Sequence, residues 1–277
     1  MTDLDVTALR ATYDNQLRAR IPDPAPEGLV VERDGPLLRL RGLDRGGFLT
    51  YHDLGGLTGS ALDELIARQR DLFARLGQEV EWKWHGHDEP ADLPDRLRAA
   101  GFEPEEPESV VIGPVAPLAA ALPVLPEGVR LREVTARADL DRIAAMEEAV
   151  WNEDRSWLAD ALEREIAADQ AAPADPDHPG PSLAVVVAEE TGSGRVVSAG
   201  WVRFVRGTPF ATLWGGSTLA QWRRRGVYRA LVTYRARLAA ARGFTLLQVD
   251  ASDDSRPILQ RLGLVVVTTT TPYVYTP

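Results

Sequence analysis

Slid along itself by 162 residues without gaps, the chain meets its own landmarks: Phe48 falls on Phe210, Leu57 on Leu219, Leu76 on Leu238, Asp88 on Asp250 and Gly101 on Gly263. The identities are sparse, yet the order of expected elements repeats too, and the pattern reads as a tandem duplication. Between the halves, Gly113–Gly128 (GPVAPLAAALPVLPEG) is rich in proline and alanine and nearly free of charge, the composition of a linker. We expect domains at 1–115 and 128–277, joined by 116–127.

The second half alternates strand and helix signals. Strands are expected at Val129–Val134, Leu183–Glu189, Val196–Val205, Phe210–Leu219 and Leu246–Asp250, with a threonine-rich pair of strands over Leu264–Tyr275. Helices are expected at Asp139–Trp151, Ser156–Asp169 and Ser255–Leu262. Another is expected at Val227–Arg242, where Val227, Leu231, Tyr234 and Leu238 recur at helical spacing ahead of Gly243. A polar loop with four prolines, Pro173–Pro181, interrupts the series. The first half gives a shortened echo. A helix at Thr7–Arg20 leads to strands near Leu29–Arg33, Leu37–Gly42 and Phe48–Leu54. Then come a helix at Ser60–Leu76, a strand at Val80–His85, a helix at Leu93–Ala100 and a strand at Ser109–Val115. The order predicts an α/β fold with a sheet of mixed direction in each half.

Composition removes several function classes. There is no cysteine, which excludes disulfides, thiolate metal sites and thiol nucleophiles. No apolar run is long enough to span a bilayer, and the polar, acidic start Met1–Arg10 does not read as a secretory signal, so a cytoplasmic address is expected. A net charge of −10 repels nucleic acid and anionic lipid. Lys83 is the single lysine, and the densest basic stretch is Arg223, Arg224, Arg225 and Arg229. In an acidic protein such a cluster suits a small, multiply charged anion. His85, His87 and Asp88 lie close in sequence, but no further histidine is near, and no metal site is assigned.

The stretch Gln221–Arg229 joins an expected strand to an expected long helix through one glycine. A helix's first turn has backbone N–H groups without partners, at the positive end of its dipole. Phosphate oxygens satisfy such donors, Gly226 lets the backbone approach closely, and arginines add charge-assisted hydrogen bonds. A solvated basic helix start is the alternative reading of the same residues.

The element order and this loop together resemble the GNAT superfamily of N-acetyltransferases, whose loop reads Gln/Arg-x-x-Gly-x-Gly/Ala. Arg223-Arg224-Arg225-Gly226-Val227-Tyr228 matches, except that Tyr228 replaces the last small residue. The segment RPILQRLGL (Arg256–Leu264) is similar to the family's later helix and glycine turn. The resemblance covers Gly128–Pro277 and, more weakly, Leu29–Val115, and implies two tandem GNAT-like domains, each a mixed, mostly antiparallel sheet flanked by helices. It implies that acetyl-CoA is the co-substrate. The backbone of Arg224, Arg225, Gly226, Val227, Tyr228 and Arg229 would hold the pyrophosphate, and Gly216, Ser217 and Thr218 would pair with the pantetheine arm as an added strand. Tyr228 must then point away from the phosphates. In the first half the ungapped slide puts Ala61-Leu62-Asp63-Glu64 opposite this loop, without glycine or arginine, so the first domain is expected to be a degenerate one that binds no CoA.

The catalytic residues are harder to read. The family's usual acid, a tyrosine four residues before the late glycine, corresponds to Leu259. Asp250 at a strand end and Tyr273 on the last strand remain as catalytic candidates, beside plainer roles as a turn carboxylate and a packed aromatic. For the acceptor, the resemblance points to Trp151–Trp157 (WNEDRSW), where Trp151, Glu153 and Asp154 could hold an amine between aromatic and carboxylate groups. The leading reading is an enzyme, monomer or homodimer, that moves an acetyl or short acyl group from CoA to a small-molecule amine. Protein lysine or N-terminal acceptors, a CoA-binding scaffold with little chemistry, and a non-acetylating enzyme on the same fold stay open.

Overall fold

A computed structural model describes residues 4–21, 25, 27–43, 46–172 and 180–277. In chain order the elements are α1 (Val6–Gln16), β1 (Val30–Asp34), β2 (Leu37–Leu43), β3 (Gly46–Thr50), α2 (Gly59–Leu76), β4 (Val80–His85), α3 (Leu93–Ala99), β5 (Glu103–Pro104), β6 (Glu108–Pro114) and α4 (Val115–Ala120). They continue as β7 (Val129–Val134), α5 (Arg137–Trp151), α6 (Trp157–Ala171), β8 (Leu183–Glu190), β9 (Val196–Phe204), β10 (Phe210–Thr218), α7 (Val227–Ala241), β11 (Leu246–Ala251), α8 (Arg256–Arg261) and β12 (Val265–Tyr275). Most of the strand pairing is antiparallel. Two compact units emerge, one of residues 1–111, 250–260 and 265–277, the other of residues 112–249 and 261–264.

In the first unit β1, β2 and β3 form an antiparallel meander, and β3 then pairs parallel with β4 after the crossover helix α2. A parallel pair needs such a crossover. α2 buries Leu62, Leu65, Ile66, Gln69 and Phe73 along one stripe, ending at Gly77 in the left-handed conformation that a Cβ disfavours. The chain's last strand belongs here: β12 is one strand, not the expected pair, and runs antiparallel to β4 from Thr270↔His85 to Tyr275↔Val80. A continuous run of threonine, valine and tyrosine has the β-propensity for this and contains no turn residue until Pro272, which the strand tolerates.

The second unit repeats the plan. β7, β8, β9 and β10 form an antiparallel meander, and β10 pairs parallel with β11 after the crossover helix α7. β8 is buried on both faces, consistent with its unbroken Leu183–Ala188 run. α5 and α6 cover one face of this sheet, packing Leu140, Ile143, Met146, Leu158 and Leu162 onto Val185, Val187, Val197 and Ala199. The expected linker is partly structured: Val115–Ala120 forms α4, which buries Val115 and Leu118 and packs along α7. Alanine and leucine favour that helix wherever proline allows it. The proline-rich segment 173–179 lies outside the described residues.

Candidate functional site

The site forms where β10 parts from β11. The two strands are hydrogen-bonded only from Phe210↔Leu246 to Thr212↔Gln248, whereas β10 follows β9 as far as Thr218↔Ser198. Beyond Thr212, the edge of β10 that faced β11 has no ladder partner there among the described residues. Within that stretch β10 bulges: the register to β9 slips between Gly215 and Ser217, leaving Gly216 as the extra residue. Both glycines are required. Gly215 (φ +65°) would place a Cβ 2.6 Å from the Trp201 ring, and Gly216 (φ +98°) 2.7 Å from the Tyr228 ring.

β10 leads through a single 3₁₀ turn, Ala220–Trp222, into α7. Gly226, at φ +83°, is the N-cap of α7 and, lacking a side chain, makes no side-chain cap bond of its own. The loop is braced from outside: Arg223 Nε donates to the Thr218 carbonyl at 3.0 Å, and Arg225 stacks on the Trp222 ring at 5.1 Å. A Cβ on Gly226 would meet nothing closer than 3.7 Å, one neighbour being Nη2 of Arg229, whose guanidinium folds back over the helix start. An open, positively charged helix start is what a phosphate group needs. Arg224 is exposed, with φ +59°. The Tyr228 ring lies against Gly216.

Behind the bulge, on the α7 side, Arg235 is 1% exposed. Its Nη1 donates to the carbonyls of Trp201 (3.1 Å) and Trp214 (2.9 Å), and its Nε to Leu231 (3.2 Å). The first two are strand carbonyls beside the slipped register, and the third belongs to α7 itself. Burial pushes the Arg235 pKa down to about 10, against the opposing influence of the Tyr228 phenol.

On the opposite, α5 face stands a residue that our sequence reading missed. Glu147 is 5% exposed; its Oε2 accepts from Ser217 Oγ of β10 at 2.8 Å and from Trp151 Nε1 at 2.9 Å. Its Oε1 is buried and has no hydrogen-bond partner among the described residues. Burial raises the Glu147 pKa, outweighing the hydrogen bonds from Ser217 and Trp151. A buried carboxylate oxygen without a donor is costly and calls for an explanation. The clue was in the sequence: Leu140, Ile143, Ala144 and Glu147 share one stripe of α5, so a carboxylate occupies a core-facing position.

The expected site residues fall out unevenly. Trp151, 52% exposed, joins the site, its Nε1 also lying 3.0 Å from Ser217 Oγ. Glu153 instead pairs with Arg155 at 2.6 Å, and Asp154 accepts from the Ser156 amide; the Ser156 hydroxyl, and then its amide, lower the Asp154 pKa. Thr218 is buried against Ser198, and the Ser217 carbonyl accepts from Ser198 Oγ. Asp250 forms an ion pair with Lys83 at 2.7 Å within the first unit. Tyr273 is 2% exposed and packs edge-on to Trp84 and beneath Arg98, so it serves the core of the first unit and not a thioester. Leu259 is fully buried. His85, His87 and Asp88 hydrogen-bond or pair with Tyr13, Asp14, Thr268, Tyr51 and Arg18. Among the described residues no group of three or more such side chains could hold a metal ion, and no helix is long and apolar enough to cross a membrane.

No protein-family model and no curated protein matches the sequence. Solved structures do. A GCN5-related N-acetyltransferase from Kribbella flavida aligns over 98% of this chain and 94% of its own, at TM-score 0.63 and 15% identity. A tandem GNAT protein from the clavulanic acid biosynthesis pathway aligns over 90% and 84%, at TM-score 0.60 and 15% identity. The chain has the GNAT fold, in tandem. A conserved protein of unknown function from Staphylococcus epidermidis ATCC 12228 is equally similar, at TM-score 0.63, 12% identity and coverage of 92% and 96%. At these identities the GNAT likeness concerns the fold; chemistry must be argued from the site.

Proposed function

We propose that this protein is an acetyl-CoA-dependent N-acetyltransferase whose second unit, described above, carries the site, and whose acceptor is a small-molecule amine. The observation that carries this reading is the pairing of an uncapped α7 start with an unpaired, bulged edge of β10. The first offers amides and Arg224 and Arg229 to a diphosphate. The second offers an edge to an extended pantetheine arm. Asp250 and Tyr273 are given no catalytic part.

Glu147 supplies the acceptor chemistry. An ammonium group beside it would satisfy the orphaned Oε1, and the exposed Trp151 face adds an aromatic wall suited to a cation. In the transfer the bound ammonium first gives one proton to Glu147; the free amine nitrogen then bonds to the thioester carbonyl carbon, its second surplus proton passes to solvent, and the carbon–sulfur bond breaks with its electron pair going to sulfur. A carboxylate whose pKa is raised by burial is a better base at neutral pH than an exposed one. A cytoplasmic setting accords with the absence of cysteine.

The test is binding followed by turnover. Acetyl-CoA should raise the melting temperature, and an amine panel should release free CoA thiol. Thermal stabilisation with no thiol released for any amine would leave a CoA-binding scaffold, the second reading, which the loss of the usual tyrosine at Leu259 favours.

A further inference from the structure

A leaving thiolate needs a proton, and position 259 cannot give one. The loop's departure from its expected pattern offers another source. The Tyr228 ring lies against the β10 bulge: a Cβ on Gly216 would sit 2.7 Å from Cε2 and 3.8 Å from Cζ, the carbon that bears the hydroxyl. Tyr228 is half-buried, so the ring is held yet reaches the open edge of β10. Behind the same bulge lies the Arg235 guanidinium. Among the described residues no carboxylate pairs with it, and its hydrogen-bond acceptors are three backbone carbonyls. A methyl group on Gly200 would collide with both Arg235 Nη1 and the Gly216 amide nitrogen, at 2.7 and 3.1 Å, so cation and bulge share one small space.

A buried positive charge without an anionic partner is expensive. Neutral amide donors could have satisfied the same carbonyls. Tyr228 is the ionisable group whose field acts on Arg235. A phenolate formed there would supply the missing negative charge.

The geometry points to Tyr228 as the general acid of the reaction, donating its phenolic proton to the departing sulfur at the β10 bulge, with Arg235 as the positioning cation that stabilises the phenolate left behind. This rests on the acetyltransferase reading. When the carbon–sulfur bond breaks, its electron pair goes to sulfur, and the phenolic proton follows. The phenolate regains a proton from water before the next turnover. Other charged groups near the bulge are Arg223, bonded to the Thr218 carbonyl, Arg229 on α7, Glu147 on α5, and Arg203 on β9, which stacks on Trp214 and pairs with Glu165. The bulge residues of β9 and β10 bring no ionisable side chain.

The experiment compares wild type, Tyr228→Phe and Arg235→Gln with two acetyl donors, acetyl-CoA and an acetyl thioester of an acidic aryl thiol. With acetyl-CoA, Tyr228→Phe should lower kcat about 100-fold, the usual size of a lost acid, while KM for acetyl-CoA and the melting temperature stay put. Its kcat should lose the basic limb of the pH profile. With the aryl thioester, whose thiolate departs unprotonated, wild type and variant should differ less than fivefold. Arg235→Gln should move the basic limb to higher pH. The proposal falls if Tyr228→Phe keeps both kcat and the basic limb, or loses rate equally with both donors. It also falls if Tyr228→Ala binds acetyl-CoA more tightly, which would make the ring an obstruction. If wild type releases no thiol with any amine, the acetyltransferase reading itself has failed; a failure confined to the Tyr228 variants touches this inference alone.

Discussion

The two units contain the same strand–loop–helix turn, and the differences between them bear on the CoA site proposed for the second unit. The loop Tyr51–Thr58 between β3 and α2 is as long as Leu219–Gly226 between β10 and α7. The structural counterpart of the arginine loop is therefore Tyr51–Thr58, not the Ala61–Glu64 stretch that the ungapped slide selects. That correction restores two glycines to the first unit, Gly55 and Gly56, both at positive φ. Backbone shape is thus present in both. Charge is not: the first loop brings Asp53, which accepts from the Gly55 amide, and it borders a cavity of about 350 Å³ lined by Asp14, Asp53, Asp88 and Glu89, with Arg18 already paired to Asp88 and Asp14. The strand edges differ as well. β3 stops at Thr50, one residue past its ladder to β4, whereas β10 runs on through its bulge to Thr218. Glycines are common to both loops; the cations and the unpaired edge, on which the proposed phosphate site rests, belong to the second unit alone.

The largest effect should come from attacking that difference directly. Gly226→Glu puts a side chain at φ +83° and a carboxylate at the helix start. Acetyl-CoA affinity should fall at least 100-fold by calorimetry, about 3 kcal/mol, whereas Thr58→Glu at the matching place in the first unit should leave it unchanged. The reverse pattern would move the nucleotide to the other unit. Next comes Glu147→Gln, which keeps the shape and removes the base. We expect kcat to drop about 100-fold with acetyl-CoA affinity intact. In wild type, activity should rise with pH through a limb displaced upward from an ordinary glutamate's, as burial raises this pKa. A full-rate Glu147→Gln enzyme would end its role.

The first unit keeps its own partly buried ionisable groups, and these should govern the pH dependence of stability. Burial, and then the Asp250 charge, push the Glu108 carboxyl up to about 7, with Lys83 opposing. Its folded pKa exceeds the unfolded value of about 4.3. The group's contribution is therefore whole below about pH 4.3 and is lost as pH rises toward 7. Glu108→Gln should remove this dependence, raising stability at pH 7.5 relative to pH 5 by on the order of 1–3 kcal/mol in denaturant titrations; equal pH slopes for the two proteins would refute it. The smallest effect is expected for Trp151→Phe. It removes the indole donor to Glu147 and Ser217 and weakens the aromatic wall, so KM for the amine should rise a few-fold, about 1 kcal/mol. Unchanged amine kinetics would place the acceptor elsewhere.

Much of the fold was legible because hydrophobic periodicity is local. Val80–His85 and Val129–Val134 were read to the residue, and α2 and α7 to within one at either end, since stripes such as Leu62, Leu65, Ile66, Phe73 and the glycines after each helix announce themselves. The loop was legible for the same reason. Arg223–Gly226 are contiguous, and the glycine pair of β10 lies a few residues upstream in the same strand–loop–helix turn.

The acceptor side was not legible in that way. Glu153 and Asp154 stood beside Trp151 in sequence but spend their charge on Arg155 and Ser156, while Glu147, one helical turn earlier, meets Ser217 across the sheet. Sequence by itself determined the elements, the repeated plan and the glycine-and-arginine turn, because those depend on neighbours along the chain. Tertiary structure alone decided that Asp250 would be neutralised by Lys83, that Tyr273 would be sealed in a core, and that Glu147, Tyr228 and Arg235 would converge on one bulge. Those outcomes depend on which strands pair and which helix face lies over them, and a period of 2 or 3.6 residues specifies a face without specifying its partner.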